Sequence, residues 1–158
     1  MLQERLATNR WFTSTLQQLF VETCRERPEK TAIVFQEQPI TFEEVQENVN
    51  RLSQALIDLG VRPGDHVASL PTSSPEFAYL YLATLQIGAL INPLNLLWGV
   101  TEFTGILARN EPKIIVTIDN NRDRDYVALL RDSIPDLTMR DGKASSQTIP
   151  TLTHIVTL

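Results

Sequence analysis

The sequence predicts an α/β domain built on a mostly parallel, doubly wound sheet flanked by helices. Three observations carry that expectation. Short β-prone runs alternate with helical patterns along the chain, each pair separated by turn or capping residues. One of the runs, Lys113 to Ile118 (KIIVTI), is almost continuously apolar, as expected of a strand covered on both faces. The stretch from Phe42 to Leu59 reads as an amphipathic helix, which is stable only when its apolar side packs on something. In such sheets the crossovers are right-handed, and ligands bind outside the carboxyl ends of the strands. The loops to watch are therefore Leu70–Ser74, Pro93–Val100 and Asp119–Arg122.

Length and composition fit one domain. The chain has 158 residues, 42% apolar and 21% charged, enough to bury a real core. A net charge of -5 argues against nucleic acid or an anionic membrane surface as partner. The single cysteine, Cys24, excludes an intrachain disulfide and a clustered-cysteine metal site. The first twelve residues carry charges and no apolar signal-peptide core, so a cytoplasmic protein is expected. The reading is one α/β unit over residues 1–158, with a leader at 1–12 and a surface loop at 140–151.

The first helix is expected to be capped by Ser14, with Gln17 completing a capping box. Its apolar positions, Leu16, Leu19, Phe20, Thr23 and Cys24, are spaced by three and four. Cys24 lies on that stripe, which makes it a packed thiol rather than a nucleophile. Pro28 ends the helix, Thr31 to Phe35 (TAIVF) is a strand, and QEQP is a polar turn before Ile40. Thr41 caps the second helix with Glu44 three residues on. Its apolar face is Phe42, Val45, Val49, Leu52, Leu56 and Leu59, and Gly60 stands where a left-handed residue ends a helix. The turn Arg62 to Asp65 leads into a strand from His66 to Leu70. With no second histidine or carboxylate cluster nearby, His66 reads as structural.

From Phe77 to Thr101 the chain carries no charge at all. A membrane helix needs about 20 predominantly apolar residues. Gly88, Asn92, Pro93 and Asn95 interrupt this run, so it does not survive as one. The better reading is a helix from Pro75, capped by Ser74, to Ile87, then a stop at Gly88 and a short buried strand over Ala89 to Asn92. Thr101 is expected to cap the next helix, with Phe103, Ile106 and Leu107 inward. After the KIIVTI strand, NNRDRD opens a helix bearing Tyr126, Leu129 and Leu130. MRDGKASSQTIPT reads as a polar surface loop, and Leu152 to Leu158 as a last strand in which His154 is structural.

The search for chemistry returns absences. There is no G-x-G-x-x-G, no G-x-x-x-x-G-K-[ST], no G-x-S-x-G and no H-E-x-x-H. The hydroxyl clusters Thr72-Ser73-Ser74 and Ser145-Ser146 lack the glycines that let backbone amides close on a phosphate. The carboxylates Asp119, Asp123 and Asp125 are interleaved with Arg122 and Arg124, which fits a solvated helix start better than a cation site. No catalytic, cofactor-binding or metal-ligating residue is assigned.

Five segments, in order, resemble the beginning of the adenylate-forming (AMP-binding) superfamily of acyl- and aryl-CoA ligases, luciferases and peptide-synthetase adenylation domains. RPEKTAIVF (Arg27 to Phe35) resembles its opening strand, and ITFEEV (Ile40 to Val45) its L-T-Y-x-E-L segment. LGVRPGDHVA (Leu59 to Ala68) is similar to L-G-V-x-x-G-D-R-V-A, and SSPEF (Ser73 to Phe77) to N-S-x-E-F. LQIGALINPLN (Leu85 to Asn95) is similar to L-K-x-G-A-x-x-x-P-x-N. The form N-P-L-N at Asn92 to Asn95 looks more like the acyl- and aryl-CoA ligases than the peptide synthetases. The resemblance implies the first part of the larger N-terminal domain of these enzymes. For the full-length enzyme it implies ATP, Mg2+ and CoA as cofactors and a carboxylic acid as substrate. The family's Ser/Thr/Gly-rich loop ending in P-K-G, aromatic-Thr-Glu motif, ribose-binding aspartate and catalytic lysine are not in these residues. The expectation is an N-terminal scaffold portion, inactive alone, that binds none of those cofactors tightly and self-associates through exposed apolar surface. The alternatives are a stand-alone non-catalytic module on the same scaffold, and an unrelated small nucleotide-binding domain. The loop Leu94 to Val100 is expected to border the acyl or CoA entrance.

Overall fold

The computed structural model describes residues 13–121 and 124–157; the expected leader, residues 1–12, lies outside the described residues. Four parallel strands form the central sheet: β3 (His66–Ser69), β4 (Leu90–Pro93), β5 (Ile114–Thr117) and β10 (His154–Thr157), in the spatial order β10-β5-β3-β4. The two-residue strands β6 (Asn120–Asn121) and β7 (Arg124–Asp125) pair antiparallel with each other after β5. The chain leaves β3 to pair β4 on one side, then crosses back over β3 to place β5 on the other. That reversal is a topological switch point between β3 and β5, the place where such sheets open a crevice.

Helices cover both faces. On one side lie α1 (Leu16–Glu26), α2 (Phe42–Asp58) and α3 (Pro75–Ile87), whose Phe20, Cys24, Val45, Val49, Leu56 and Leu80 pack on Val67, Ile114 and Val116. On the other, α4 (Val100–Asn110) and α5 (Tyr126–Ser133) bring Phe103, Leu107, Leu129 and Leu130 onto Ala68 and Ile115. Alternate residues of β5 thus serve opposite cores, as the pleat requires. All four residues of the strand are buried, which is why its sequence reads as an unbroken apolar run.

The ends of the helices follow local chemistry. Thr41 caps α2 with the expected box: Glu44 N–H donates to its hydroxyl at 3.2 Å and Thr41 N–H to the Glu44 carboxylate at 2.7 Å. The Thr41 N–H, and then the Thr41 hydroxyl at 3.0 Å, donate to the Glu44 carboxylate and lower its pKa from the ordinary value. Gly60 follows α2 at φ +93, and Gly88 ends α3 at φ +81, the left-handed positions expected of them.

Several boundaries differ from expectation. The cap of α1 is Thr15 with Gln18, one residue beyond the expected Ser14 and Gln17. Both pairs satisfy the same box spacing, so the sequence alone does not choose between them. QEQP is not only a turn. Gln36 and Glu37 form the turn at φ +48 and +66, and Gln38 already starts β2 (Gln38–Thr41), antiparallel to β1 (Thr31–Phe35). The cap of α4 is Gly99, whose N–H donates to Glu102 at 3.0 Å, and Thr101 lies inside the helix. The strand expected to be buried over Ala89 to Asn92 runs over Leu90–Pro93 at a sheet edge, with Leu90 46% exposed. An uncharged run marks low polarity; it does not show whether a neighbour covers both faces.

The stretch expected as a polar surface loop holds a hairpin, β8 (Thr138–Arg140) and β9 (Lys143–Ser145), turning at Asp141-Gly142 with both residues at positive φ. Asp-Gly is the residue pair that such a two-residue turn prefers. Ala144, within β9, and Ile149 are buried, and Ala144 N–H donates to the Thr153 carbonyl at 2.8 Å, tying the hairpin to the start of β10.

Asp136 holds the adjoining turn. Its carboxylate accepts from the Ser146 hydroxyl at 2.7 Å and from the amides of Gln147 at 2.6 Å and Thr148 at 2.9 Å. Those donors, the Ser146 hydroxyl foremost, lower its pKa from the ordinary 3.8 to about 2. A depressed carboxylate contributes stability that is complete above the unfolded value and is lost as pH falls through the folded one. Asp136→Asn should therefore flatten the fall in urea stability between pH of about 4 and about 2. An unchanged slope in that window would show that the turn does not depend on the charge.

Candidate functional site at the carboxyl end of the sheet

Two of the loops singled out by topology meet at the carboxyl end of the sheet: residues 70–74 after β3 and 93–100 after β4. Of the third, Asp119 is described and Arg122 lies outside the described residues. Together with the β1–β2 hairpin they enclose a cleft of about 1080 Å3. Val34, Phe35, Phe77, Leu96 and Leu97 give it apolar walls, and the hydroxyls of Thr72, Ser73 and Ser74 lie along one side. Val34 and Leu97 are 67% and 86% exposed, high values for aliphatic side chains at the mouth of a cleft.

The wall formed by residues 94–99 is fastened from α5 and the residues before it. The Arg124 guanidinium donates to the Leu96 carbonyl at 2.7 Å and to the Trp98 carbonyl, and it lies 5.4 Å above the Tyr126 ring centroid. The Tyr126 hydroxyl donates to the same Leu96 carbonyl at 3.0 Å. Inside the loop, Asn95 accepts from Leu97 N–H at 2.9 Å, and the Trp98 ring meets Phe103 edge to face at 6.3 Å. Arg124 is the one charged side chain among the described lining residues. No described carboxylate pairs with it.

Sequence reasoning placed Arg124 at a solvated helix start, as one charge among several. Its role is set by a contact to a loop 26–28 residues away, and no local spacing signals that. The other residues weighed from sequence are dispersed. The Cys24 thiol is buried between α1 and α2, donates to the Phe42 carbonyl at 3.5 Å, and is pushed up in pKa by that burial. His66 and Asn92 meet across β3 and β4, Nδ1 to Nδ2 at 3.0 Å, on the strands rather than in the cleft. His154 Nδ1 lies 3.0 Å from the Thr153 hydroxyl. Asp125 caps α5 by accepting from Ala128 N–H at 2.8 Å, and Asp123 lies outside the described residues. Among the described residues no group of three or more histidine, cysteine or acidic side chains is placed to hold a metal. No helix among them is long and apolar enough to cross a membrane.

The 70–74 loop does not fit nucleotide phosphates. It has no glycine, Ser74 N–H is already spent on the Thr72 carbonyl at 2.8 Å, and the Thr72 hydroxyl on that of Ser74 at 3.1 Å. Ser69 Oγ, buried at the end of β3, has no partner among the described residues. One hydroxyl does not make a phosphate cradle.

A four-stranded parallel sheet wound on both faces, with its crevice at a switch point, defines a class: α/β domains that bind ligands at the carboxyl ends of their strands. Within that class the chain belongs to the AMP-binding enzyme family, whose model matches residues 20–156. It is 36% identical over 103 residues to tyrocidine synthase 2 of Brevibacillus parabrevis, covering 65% of this chain and 3% of that protein. It is 24% identical over 146 residues to the putative acyl-CoA synthetase YngI of Bacillus subtilis (strain 168), covering 90% of this chain and 27% of that protein. The crystal structure of the anthranilate CoA ligase AuaEII in complex with anthranoyl-AMP superposes with a TM-score of 0.72 at 24% identity, over 90% of this chain and 24% of that one. The chain thus spans about a quarter or less of the length of these proteins. The fold agrees with the expectation for the first part of such an N-terminal domain. Acyl-CoA ligases and tyrocidine synthase 2 both match, so the family is established without its subclass.

Proposed function

We propose that this chain is the N-terminal scaffold portion of an ATP-dependent acid–thiol ligase that works through an acyl-adenylate. The observation that carries this reading is the family match over residues 20–156, laid on a parallel sheet with a cleft at its carboxyl end. In the full reaction a carboxylate attacks the α-phosphate of ATP and pyrophosphate leaves; the thiol of CoA then attacks the acyl carbon of the adenylate, the acyl–phosphate bond breaks, and AMP and the thiol proton are released. Such chemistry needs Mg2+ and donors around the phosphates. The described residues offer no such cradle, so no step of it is assigned to them. Their part is to fix β3, β4 and β5 and the loops that follow. Asn92 to Asn95, in the form N-P-L-N, favours a fatty or aryl acid–CoA ligase over a peptide synthetase.

The test is carboxylate-dependent ATP–pyrophosphate exchange by the 158-residue chain, across fatty and aryl acids. No exchange above background is expected. Measurable exchange would mean that adenylation is carried by residues within this chain, and the scaffold reading would fall. A second reading, a non-catalytic module on the same scaffold, is favoured by the two closed cores on either face of the sheet.

A further inference from the structure

We propose that two copies of this chain associate across β4, pairing their edge strands antiparallel into one eight-stranded sheet. Among the described residues β4 is the outer strand of the central sheet, with β3 on its inner side. Leu90 N–H donates to the Asp65 carbonyl and Leu94 N–H to the Ser69 carbonyl, both at 2.8 Å. Backbone groups alternate sides along a strand, so Leu90, Asn92 and Leu94 turn theirs inward, and Ile91 and Pro93 turn theirs to the open edge. Pro93 has no N–H. Within β4, Ile91 alone therefore offers a donor and an acceptor outward, and a longer foreign strand finds no second donor. A second copy matches this edge. About a two-fold axis through Ile91 the two isoleucines exchange both bonds, and Leu90 of each copy faces Asn92 of the other. The axis uses up both β4 edges, so assembly through this contact stops at two.

The helices fit the same axis. On one side α3 packs against α2, where Gln86 donates to Asn50 at 3.0 Å and the Ser53 hydroxyl to the Ala83 carbonyl at 3.4 Å. Phe77, Tyr81 and Leu85 recur every four residues along the other side, and Tyr81 is 37% exposed. An axis normal to the sheet keeps both α3 helices on one face, antiparallel and about two strand spacings apart. That is roughly 10 Å, the distance at which helices pack. Ile91 packs on the α3 face, so the strand's alternation puts Leu90 on the opposite face, where the join covers a side chain otherwise 46% exposed. Charge selects the same flank. No charged residue lies between Phe77 and Thr101, while the whole chain carries -5, so two copies meet here without repelling. This inference goes beyond the ligase reading and does not rest on it, because association is measured without ATP, acid or thiol.

Sedimentation equilibrium of the 158-residue chain should show monomer and dimer in exchange, with a dissociation constant of about 1–100 μM for so few cross-bonds. Leu90→Lys puts a charge at the join and should weaken the dimer about tenfold or more, with circular dichroism unchanged. Pro93→Ala restores an outward N–H opposite Ala89 of the other copy, twice by symmetry, and should tighten the dimer about five- to a hundredfold. The Ile91 amide of the wild-type chain should exchange about tenfold or more slowly at dimeric than at monomeric concentration. The proposal is overturned if the chain stays monomeric at about 500 μM, or if Leu90→Lys leaves association unchanged. A dimer that Leu90→Lys weakens but Pro93→Ala does not tighten is a side-chain contact, and edge pairing falls. Should Pro93→Ala not fold, the Ile91 amide decides, and exchange indifferent to concentration overturns the proposal.

Discussion

Replacing Phe103 with alanine is expected to cost about 3–5 kcal/mol of folding free energy, the loss seen when a buried aromatic side chain leaves a cavity. Phe103 is fully buried and is the largest of the fully buried side chains among the described residues. It stands in the first turns of α4 and packs in the cluster that also holds Ala68, Ile115 and Leu130. A domain of this size has about 5–15 kcal/mol in total, so the substitution removes a large share. Urea unfolding followed by circular dichroism should show a lower midpoint at unchanged slope. Phe103→Leu, which keeps most of the volume, should cost under about 1.5 kcal/mol. A loss below about 1 kcal/mol for alanine would mean that α4 does not pack on the sheet as described. The ring also faces Trp98 edge to face, so the cavity opens directly under the 94–99 loop. Hydrogen exchange at Leu97 and Trp98 should therefore quicken in Phe103→Ala well before global unfolding.

How much of this was legible beforehand depended on the range of the interaction involved. The α2 helix, its Thr41–Glu44 cap and the glycine behind it are readable because each end is set by residues within about one turn of it. The expected bounds of α3 match the observed Pro75–Ile87, since Pro75 and Gly88 punctuate it at both ends. The caps at Thr15 and Gly99 lie one and two positions from the expected Ser14 and Thr101, because hydroxyl residues compete for the role and a glycine has no side chain to announce it. The exposure of Leu90 was not legible, since an edge is defined by which strand lies next to it, and only the sheet order supplies that. The hairpin at Asp141-Gly142 was legible in principle but was masked by the polarity of its flanks. For the site, topology indicated where the loops converge. Arg124 stayed hidden, because its partners are backbone carbonyls, which every residue has, in a loop distant in sequence.

Gly88 makes the second large prediction, and it separates backbone strain from lost packing. The residue ends α3 at φ +81 and ψ +20, its N–H donates to the Leu85 carbonyl at 3.0 Å, and its own carbonyl accepts Gly64 N–H at 2.9 Å. It therefore joins the end of α3 to the turn that launches β3. A Cβ built there would meet Pro63 Cβ at 3.5 Å, an ordinary contact, so a side chain has room. The cost of substitution comes from the left-handed backbone, about 1–2 kcal/mol for a residue with a Cβ. Gly88→Ala should lose about that much, and Gly88→Val up to about 3 kcal/mol, because a branched Cβ tolerates that region least. Gly88→Asn should recover much of the loss, since asparagine visits the left-handed region through local hydrogen bonding. The ordering Gly, Asn, Ala, Val in urea midpoints tests this. If alanine and asparagine were equal, the strain argument would fail and contact with Pro63 would have to explain the cost. Strain of this kind also predicts where the damage goes: the β3–β4 pairing at His66 and Leu90 should loosen in Gly88→Val, while the α4–α5 face keeps its protection.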